Sequence, residues 1–235
     1  MKLLIANKNH SSWSLRPWLL LAAFDIPFEE VLIPFGPTFD DPDWKKAVRE
    51  YTPAGKVPAL IDGDVNVWDS LAIVEYVAER FPEHAIWPRD QAARAMARSI
   101  SAEMHSGFGA LRKACPMNLA WVHPERDRGA QVAADVARIG EIWRKARERF
   151  GANGPFLFGE FSAADAMYAP VTTRFTSYSI ALDPVCEAYV QAVQSLPAFA
   201  AWRAAAFAEP WLVPEDEVDE PVETDYRPSL TRDER

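Results

Sequence analysis

Cysteine is scarce in this chain, and long apolar runs are absent from it. The two cysteines among 235 residues, Cys115 and Cys186, form no CxxC or other paired spacing, so neither a disulfide framework nor a zinc site is predicted. The longest apolar run, residues 18–24, is far shorter than the roughly 20 residues that cross a bilayer. Met1 and Lys2 lead directly into a strand-like segment rather than a signal peptide. We therefore expect a cytoplasmic protein that does not enter the membrane.

Basic clusters are lacking as well. The chain has 25 Lys and Arg residues against 34 Asp and Glu, and the basic residues do not gather into the face that nucleic-acid binding requires. The four histidines share no metal-ligand spacing such as HExxH, so packing or solvated roles are expected for His10, His84, His105 and His123. Nucleic-acid binding and metal binding are therefore not predicted.

The acidic charge is concentrated at the C-terminal end. Residues 215–235 contain nine acidic residues and three arginines, which is a net charge of −6 out of the formal −9. Such a run is typical of a solvated segment. We predict that residues 214–235 form a flexible acidic tail and that the preceding body is only slightly acidic.

The chain does contain enough apolar material for a substantial core. Hydrophobic residues make up 49% and aromatic residues 12%, which over 235 residues predicts one large domain or two modest ones. Strand signals occur at residues 2–6, at 28–33, near 60 and at 65–67. Helical patterns begin near residues 12, 44 and 70. The predicted order is βαβ, then α, then ββα, ending near residue 82.

After residue 82 only helical patterns follow. They cover Gln91 to Ala114, Pro124 to Phe150, Ser162 to Ser179, Pro184 to Ser195 and Ala198 to Phe207. Ser162 and Asp165 have the spacing of a capping box, which indicates a structural role at a helix start. We predict an α/β domain over residues 1–82 and an all-α domain over residues 90–213.

Ser11 and Ser12 lie where a polar loop enters the first helix. Free backbone N–H groups and the positive end of the helix dipole favour an anion there, and a serine hydroxyl adds a donor. A thiol with an ordinary pKa of about 8.5 needs about 1.4 kcal/mol of thiolate stabilisation for each unit by which its pKa falls. The pair therefore suits a thiolate site, and helix capping alone is the other explanation.

Two further motifs suit a ligand that resembles an amino acid. Pro58 opens a short strand, and an edge position or a cis turn there would leave the backbone of Val57 free to pair with a peptide. Asp69 offers a carboxylate for an ammonium group, while Ser70 offers a hydroxyl and helix N–H groups for a carboxylate. Helix capping would also explain Asp69 and Ser70.

In their order and spacing these motifs resemble the glutathione transferase superfamily. The matching segments are Ser11-Ser-Trp-Ser-Leu-Arg16, Gly55-Lys-Val-Pro-Ala-Leu60, Asp69-Ser-Leu-Ala-Ile-Val-Glu-Tyr76 and Phe161-Ser-Ala-Ala-Asp-Ala-Met-Tyr-Ala-Pro170. The resemblance covers most of residues 2–207 and is nearest to the serine-type zeta class, which includes maleylacetoacetate isomerases. It implies a thioredoxin-like N-terminal domain with a mixed four-stranded sheet, an all-helical C-terminal domain, a homodimer and a role in detoxification.

The resemblance also implies a serine contact to the sulfur of glutathione, the cosubstrate. Zeta-class spacing favours Ser11 for this contact and theta-class spacing favours Ser12; we prefer Ser11. Trp13 stands where zeta enzymes carry a cysteine, a departure that bears on isomerase activity. Because no cysteine lies near the first helix, the disulfide exchange of cysteine-type relatives is not expected.

The rest of glutathione would bind along the same domain. By the resemblance, Val57 ahead of a cis Pro58 would pair with the cysteinyl backbone, and Lys56 would lie near the glycyl carboxylate. Asp69 and Ser70 would hold the γ-glutamyl end. Asp69 replaces the usual Gln or Glu of the family but keeps a carboxylate, so the same contact is expected.

The pocket for the second substrate is predicted from fewer signals. Met104, Phe108 and Arg112 recur at helical spacing, although such a stripe is more often core. Arg174 is a further candidate, because zeta enzymes hold a substrate carboxylate with an arginine on the equivalent helix, three residues later by alignment. One helical turn would place both on a similar face. Trp13 completes the predicted pocket.

The predicted function is therefore a glutathione transferase that activates the glutathione thiol as a thiolate. The thiolate would attack a small, partly apolar electrophile, with no metal and no covalent protein intermediate. A glutathione-dependent cis–trans isomerase and a non-catalytic binding protein with the same fold are the alternatives. A serine hydrolase is not favoured, because the sequence has no G-x-S-x-G motif.

Overall fold

The sheet begins with a short apolar strand, and a long helical connection allows it to pair in parallel with the next strand. In the computed structural model, which describes residues 1–227, β1 (Lys2–Ile5) pairs in parallel with β2 (Glu29–Leu32). A parallel pair requires a long crossover, and α1 (Ser12–Ala23) supplies it. The side chains at positions 3 to 5 are fully buried, because β1 is an inner strand of the sheet.

The other half of the sheet is a hairpin. β3 (Ala59–Asp62) runs antiparallel to β1, and β4 (Val65–Trp68) pairs with β3 across a turn at Gly63, whose φ of +60° favours glycine. α2 (Pro42–Arg49) precedes this hairpin and α3 (Ser70–Arg80) follows it. The strand order β2-β1-β3-β4 gives a mixed four-stranded sheet, so the predicted βαβ-α-ββα order is confirmed.

The rest of the described chain is mainly helical, as predicted. Its helices are α4 (Gln91–Ser106), α5 (Gly109–Ala114), α6 (Ala130–Phe150), α7 (Ala163–Ser177), α8 (Pro184–Gln194) and α9 (Pro197–Phe207). The central helix α7 packs against α1, α4 and α8, and so joins the helical part to the sheet. No helix within residues 1–227 is both long enough and apolar enough to span a membrane.

The start of α7 contains the predicted capping box. Asp165 accepts hydrogen bonds from the N–H of Ser162 at 2.9 Å and from the N–H of Leu157 at 3.1 Å. The hydroxyl of Ser162 also donates to Asp165, at 3.0 Å. Burial raises the pKa of Asp165 to about 6, while these hydrogen bonds oppose the rise. The capping box thus fixes the beginning of the most buried helix.

One predicted helix is in fact two helices. The pattern over residues 91–114 predicted continuity, but α4 ends at Ser106 with Gly107 as its C-cap, and Phe108 adopts a left-handed conformation with φ +58° before α5. At Gly107 an added Cβ would lie 2.7 Å from the carbonyl oxygen of Glu103, so glycine permits the close approach that ends α4. The break turns α5 toward the N-terminal domain and brings Arg112 to the cavity described below.

Two other differences involve contacts distant in sequence. α6 begins at residue 130 rather than 124, and residues 121–122 form a strand, β5 (Trp121–Val122), which pairs with β6 (Thr224–Asp225). A short 3₁₀ turn, Pro214–Asp216, precedes β6. Residues 214–227, which were expected to belong to a flexible tail, contain this turn and β6, and residues 228–235 lie outside the described part. Two-residue strands carry too little periodicity to be predicted locally.

Candidate functional site

The loop between β1 and α1 is held by the helical domain. The carboxylate of Glu209 accepts hydrogen bonds from the backbone N–H groups of Lys8 and Asn9, at 2.7 and 3.0 Å. The side-chain oxygen of Asn9 accepts from the N–H groups of Leu119 and Ala120, both at 2.9 Å. Burial raises the pKa of Glu209, and the N–H groups that it accepts oppose this rise. These contacts fix the chain at the entrance to α1.

Ser11 and Ser12 begin α1 but make different contacts. Ser11 is the N-cap: its Oγ accepts from the N–H of Ser14 at 3.3 Å and donates to Oγ of Ser14 at 2.7 Å. The hydroxyl of Ser12 forms no hydrogen bond with any residue of 1–227, and Ser12 lines the cavity at this helix end. Zeta-class spacing favoured Ser11 and theta-class spacing favoured Ser12 for the sulfur contact; both serines line the cavity, and Ser12 is the one whose hydroxyl has no partner within residues 1–227.

A cavity of about 640 Å³ lies at the N-terminus of α1, between the sheet and the helical domain. It brings together seven of the predicted residues: Ser11, Ser12, Trp13, Lys56, Val57, Arg112 and Arg174. The other lining residues are His10, Phe35, Phe39, Asp40, Trp44, Lys45, Gly109, Lys113, Pro116 and Asp216. Five lysine or arginine side chains thus face two carboxylates, so the cavity favours anionic ligands.

The backbone of Val57 is available at the cavity wall. The Val57–Pro58 peptide bond is cis and lies directly before β3. Neither the N–H nor the C=O of Val57 takes part in a backbone hydrogen bond within the described residues. Lys56, which is exposed, lies beside it on the same wall. A peptide-like ligand can therefore pair with Val57 as an added strand.

Asp69 lies outside the lining of this cavity, at the start of α3. Its Oδ1 accepts a hydrogen bond from the N–H of Leu71 at 2.9 Å and a longer one from the N–H of Ala72 at 3.5 Å. Its Oδ2 lies 3.1 Å from Nε2 of His105 on α4. The ring of His105 packs edge-on against Trp13, with 5.2 Å between centroids. Asp69 is therefore one side-chain layer away from the cavity wall.

Arg16 is a buried cation beneath the site. It is only 1% exposed, and its guanidinium lies 4.2 Å from the centroid of the Trp13 ring. Its Nη1 donates to Oγ of Ser70 at 3.5 Å, and it forms no ion pair within residues 1–227. Burial, together with the positive charges of Arg174 and Arg112, lowers the pKa of Arg16 to about 9. Arg16 thus places positive charge behind Ser70, which is fully buried and also lies outside the cavity lining.

Two more arginines are fixed at the cavity wall. Arg112 lies 4.7 Å from the centroid of Trp13 and donates to two backbone carbonyls at the α4–α5 break. Arg174, only 4% exposed, donates from Nε to the carbonyl of Cys115 at 2.8 Å. Burial, together with the charge of Arg112, lowers the pKa of Arg174 to about 10. These guanidinium groups form no ion pair within residues 1–227, which leaves them available to an anionic ligand.

The remaining two candidates for the second-substrate pocket, Met104 and Phe108, do not line this cavity. Met104 has no exposed surface and Phe108 is 7% exposed, and both belong to the main hydrophobic core. The apolar stripe on α4 packs against α7 and α6, so the helical spacing of these residues indicates a core face and not a pocket wall. The apolar lining comes instead from the aromatic rings of Phe35, Phe39 and Trp44, on α2 and the loop before it.

Comparison with known proteins identifies the family to which this arrangement belongs. Residues 10–80 match the family model described as the glutathione S-transferase N-terminal domain, and residues 129–205 match the glutathione S-transferase C-terminal domain. The chain belongs to the glutathione S-transferase family. The resemblance inferred from the sequence motifs is confirmed.

Two curated glutathione S-transferases illustrate the extent of the similarity. Glutathione S-transferase Z1 of Arabidopsis thaliana is 42% identical over 78 residues, which is 33% of this chain and 33% of that protein. A zeta-class glutathione S-transferase of Euphorbia esula is 28% identical over 171 residues, covering 72% of this chain and 70% of that protein. The match thus spans about a third of the length of the first relative and a larger share of the second.

A solved structure of a bacterial maleyl pyruvate isomerase, described as a zeta-class glutathione S-transferase, has the same fold. It superposes with a TM-score of 0.65 at 21% identity, covering 94% of this chain and 100% of that chain. At this identity the likeness concerns the fold, and the fold places the cavity between the two domains of a glutathione S-transferase.

Several residues of this glutathione S-transferase site carried little or no signal in the sequence. His10 and Asp216 reach the cavity from segments about 200 residues apart, which no local pattern reveals. Phe35 and Phe39 lie in a loop that is rich in proline and acidic residues. Arg16 did leave a signal, because it interrupts the apolar stripe of a buried helix, where an unpaired cation is unusual.

Proposed function

We propose that the protein is an enzyme, a glutathione S-transferase that holds the thiol of glutathione as a thiolate for attack on a small, partly apolar electrophile. The observation that carries this proposal is the position of Ser12. Its hydroxyl has no other hydrogen-bond partner in residues 1–227, it stands at the positive end of α1, and it faces the cavity. These are the features that an anionic sulfur requires.

The remainder of glutathione binds along the wall made by the N-terminal domain. The cysteinyl backbone pairs with Val57, and the glycyl carboxylate pairs with Lys56, which lines the same wall. The γ-glutamyl carboxylate binds at the start of α3, at Ser70, where Arg16 adds positive charge from below. The γ-glutamyl ammonium pairs with the carboxylate of Asp69.

The size of the required stabilisation is within reach of these groups. Lowering the thiol pKa by about two units requires roughly 2.7 kcal/mol of preference for the thiolate. A hydroxyl that donates to an anion contributes about 1.5–3 kcal/mol, and a helix N-terminus contributes about 0.3–1 kcal/mol. Ser12 and α1 together therefore account for a shift of this size.

The chemical step forms a bond between the sulfur and an electrophilic carbon of the second substrate. The electron pair displaced from that carbon leaves with a departing group or moves into a conjugated acceptor, which then takes a proton from solvent. The protein contributes positioning and stabilisation of charge. Such conjugation supports the proposed role in detoxification.

The test is glutathione binding observed through the thiol itself. Wild-type protein is applied to glutathione-agarose, and ultraviolet difference spectra then follow the thiolate as a function of pH. S-methylglutathione, which has no ionisable thiol, serves as the control ligand. Retention together with a thiolate band near neutral pH supports the proposal. Retention without the band, and without turnover of aryl halides, peroxides or enones, would support a non-catalytic binding protein instead.

A glutathione-dependent cis–trans isomerase is a second candidate, and Arg174 favours it. The guanidinium of Arg174 faces the cavity without an ion-pair partner in the described residues, where it can hold the carboxylate of a maleyl-type substrate. In that reaction the thiolate adds to the double bond and leaves after rotation. Turnover of maleylacetone with catalytic rather than stoichiometric glutathione is the expected result for an isomerase, and consumption of glutathione contradicts it.

We further propose a cytoplasmic homodimer. The edge strand β4 exposes Val65 and Trp68, at 45% and 46%, which is unusual for a free sheet edge. The buried, unpaired thiols of Cys115 and Cys186 suit a reducing compartment. Light scattering of wild type and of Trp68→Asp tests the dimer: a monomeric wild type, or a variant that stays fully dimeric, would contradict a dimer contact at β4.

A further inference from the structure

The segment after α9 crosses the cavity between two anchoring carboxylates. On one side, Oε2 of Glu215 accepts from the backbone N–H of Phe39, at 2.7 Å, in the N-terminal domain. On the other, Glu217 pairs through Oε1 with Nε2 of His10 and through Oε2 with Nδ2 of Asn118, both at 2.9 Å. Residues 215–217 are therefore a short strap tied to both domains, with Asp216 at its centre.

Asp216 differs from its two neighbours because its carboxylate anchors nothing. It lines the cavity, and its side chain forms no hydrogen bond or ion pair within residues 1–227. The charged groups nearest to it are His10, Arg174 and the anchors Glu215 and Glu217. A carboxylate without a partner, placed on the wall of a cavity rich in basic groups, requires an explanation other than structure.

The remaining charges of the cavity place Asp216 in context. Arg112, Lys45, Lys56 and Lys113 also line it, and Asp40 is the other lining carboxylate. Burial raises the pKa of Asp216 to about 6, while the charges of His10 and Arg174 oppose the rise. Asp216 is thus mostly ionised at neutral pH and half protonated near pH 6.

We propose that Asp216 is a charge-specificity residue of the second-substrate pocket, weakening the binding of anionic electrophiles in proportion to their negative charge. The inference rests on the proposed function in taking this cavity as the second-substrate pocket. When the electrophile carries a single carboxylate, the attraction of that carboxylate to Arg174 offsets its repulsion from Asp216. A second carboxylate is also repelled by Asp216, but Arg174 is already paired with the first one. The pocket therefore discriminates against dianions.

The repulsion has a predicted size and scaling. The free energy of the repulsion is proportional to the charge of the ligand. The factor by which Asp216 raises the dissociation constant of a dianion is therefore the square of the factor for a monoanion. For two charges separated by a cavity of this size and partly screened by water, we expect Asp216 to weaken the binding of a monoanion about threefold and that of a dianion about tenfold. A neutral ligand of the same shape is unaffected.

The test measures equilibrium binding of benzamide, benzoate and isophthalate, which carry no, one and two negative charges. Quenching of tryptophan fluorescence reports binding, because Trp13 and Trp44 line the cavity. Wild type is compared with Asp216→Asn, with the charge-preserving Asp216→Glu, and with Asp219→Asn, which removes the same charge from an exposed position of the same segment. Measurements are made with and without glutathione.

Asp216→Asn should tighten isophthalate about tenfold and benzoate about threefold, and leave benzamide unchanged. Asp219→Asn and Asp216→Glu should behave as wild type. In wild type the preference for benzamide over isophthalate should also shrink as the pH falls through about 6, and this change should be smaller in Asp216→Asn. The difference between the two proteins removes the contribution of His10.

The proposal is overturned if Asp216→Asn changes all three affinities equally, if Asp219→Asn gives the same gain, or if wild type binds none of the probes. The outcome is separable from that of the proposed function. A thiolate band with unchanged anion ratios refutes the role of Asp216 alone. The predicted ratios without a thiolate band refute the proposed enzyme and leave the charge selectivity of the cavity standing.

Discussion

The two serines at the start of α1 have different partners although they are adjacent in sequence. Ser11 uses its hydroxyl within the fold, as acceptor and donor toward Ser14. Ser12, one position on, presents its hydroxyl to the cavity. The reason is geometric, because the N-cap side chain folds back to accept from the first turn, and Ser11 occupies that position.

The first prediction concerns these two hydroxyls. In Ser12→Ala the bound thiol loses a donor, so its pKa should rise by about one to two units, with a loss of activity near pH 7 of about tenfold or more. Ser11→Ala should instead lower the free energy of unfolding by about 1 kcal/mol and keep the thiolate. Thiolate titration and urea unfolding of both variants check this. Equal thiol pKa values in the two variants would contradict the assignment of Ser12.

Arg16 is expected to trade stability for binding. Because burial lowers its pKa from 12.5 to about 9, the charged form is penalised in the fold at every pH below that value. The free energy of unfolding of Arg16→Met, measured with urea, should therefore be about 1–3 kcal/mol higher than that of wild type. The variant should nevertheless bind glutathione more weakly. Arg16→Lys, which keeps the charge but not the planar group against Trp13, is the control. Unchanged glutathione affinity in Arg16→Met would show that this charge does not serve the ligand.

At the scale of elements, the break between α4 and α5 depends on one glycine. Gly107→Ala places a Cβ 2.7 Å from the carbonyl oxygen of Glu103, so the chain must shift, at a cost of about 1–3 kcal/mol. Gly109→Ala is the matched control, because an added Cβ there meets nothing within 4 Å and alanine favours the helix. Urea unfolding compares them. A variant at position 107 as stable as the one at 109 would show that the break does not need glycine.

The capping box of α7 should leave a signature in the pH dependence of stability. The pKa of Asp165 is about 6 in the fold and 3.8 in the unfolded chain, so its protonation stabilises the fold at low pH, and this contribution is lost as the pH rises through about 6. Asp165→Asn should cost about 1–3 kcal/mol at pH 7, because three donors share the carboxylate.

The difference in the free energy of unfolding between wild type and Asp165→Asn should grow as the pH is lowered from about 7 to about 5. Urea titrations at each pH measure it. Ser162→Ala, which keeps the titrating carboxylate, should retain the slope of wild type. A constant difference would mean that the carboxyl group is not perturbed in the fold.

At the scale of the molecule, Glu209 of the helical domain holds the loop that leads into α1. Glu209→Ala leaves the buried N–H groups of Lys8 and Asn9 without their acceptor, at an expected cost of about 2–3 kcal/mol. It should also raise the KM for glutathione, because the loop leads into Ser11 and Ser12. Glu223→Ala, at an exposed position, is the control. An unchanged KM would show that the loop holds its conformation without the second domain.

The sequence by itself determined the elements and their order. Apolar alternation and helical periodicity are local, so the four strands of the sheet, the capping box at Ser162 and most helices could be predicted. The order and spacing of four short motifs also predicted the family, because each motif lies at a fixed point of the same fold.

Tertiary structure alone decided which of these groups meet. The apolar stripe containing Met104 could not reveal which side of α4 faces a cavity, since core and pocket share one periodicity. The choice between Ser11 and Ser12 depends on where a hydroxyl points, which spacing does not contain. Asp216 reaches the cavity only because the terminal strap crosses it, and a contact between residues about 200 positions apart leaves no local pattern.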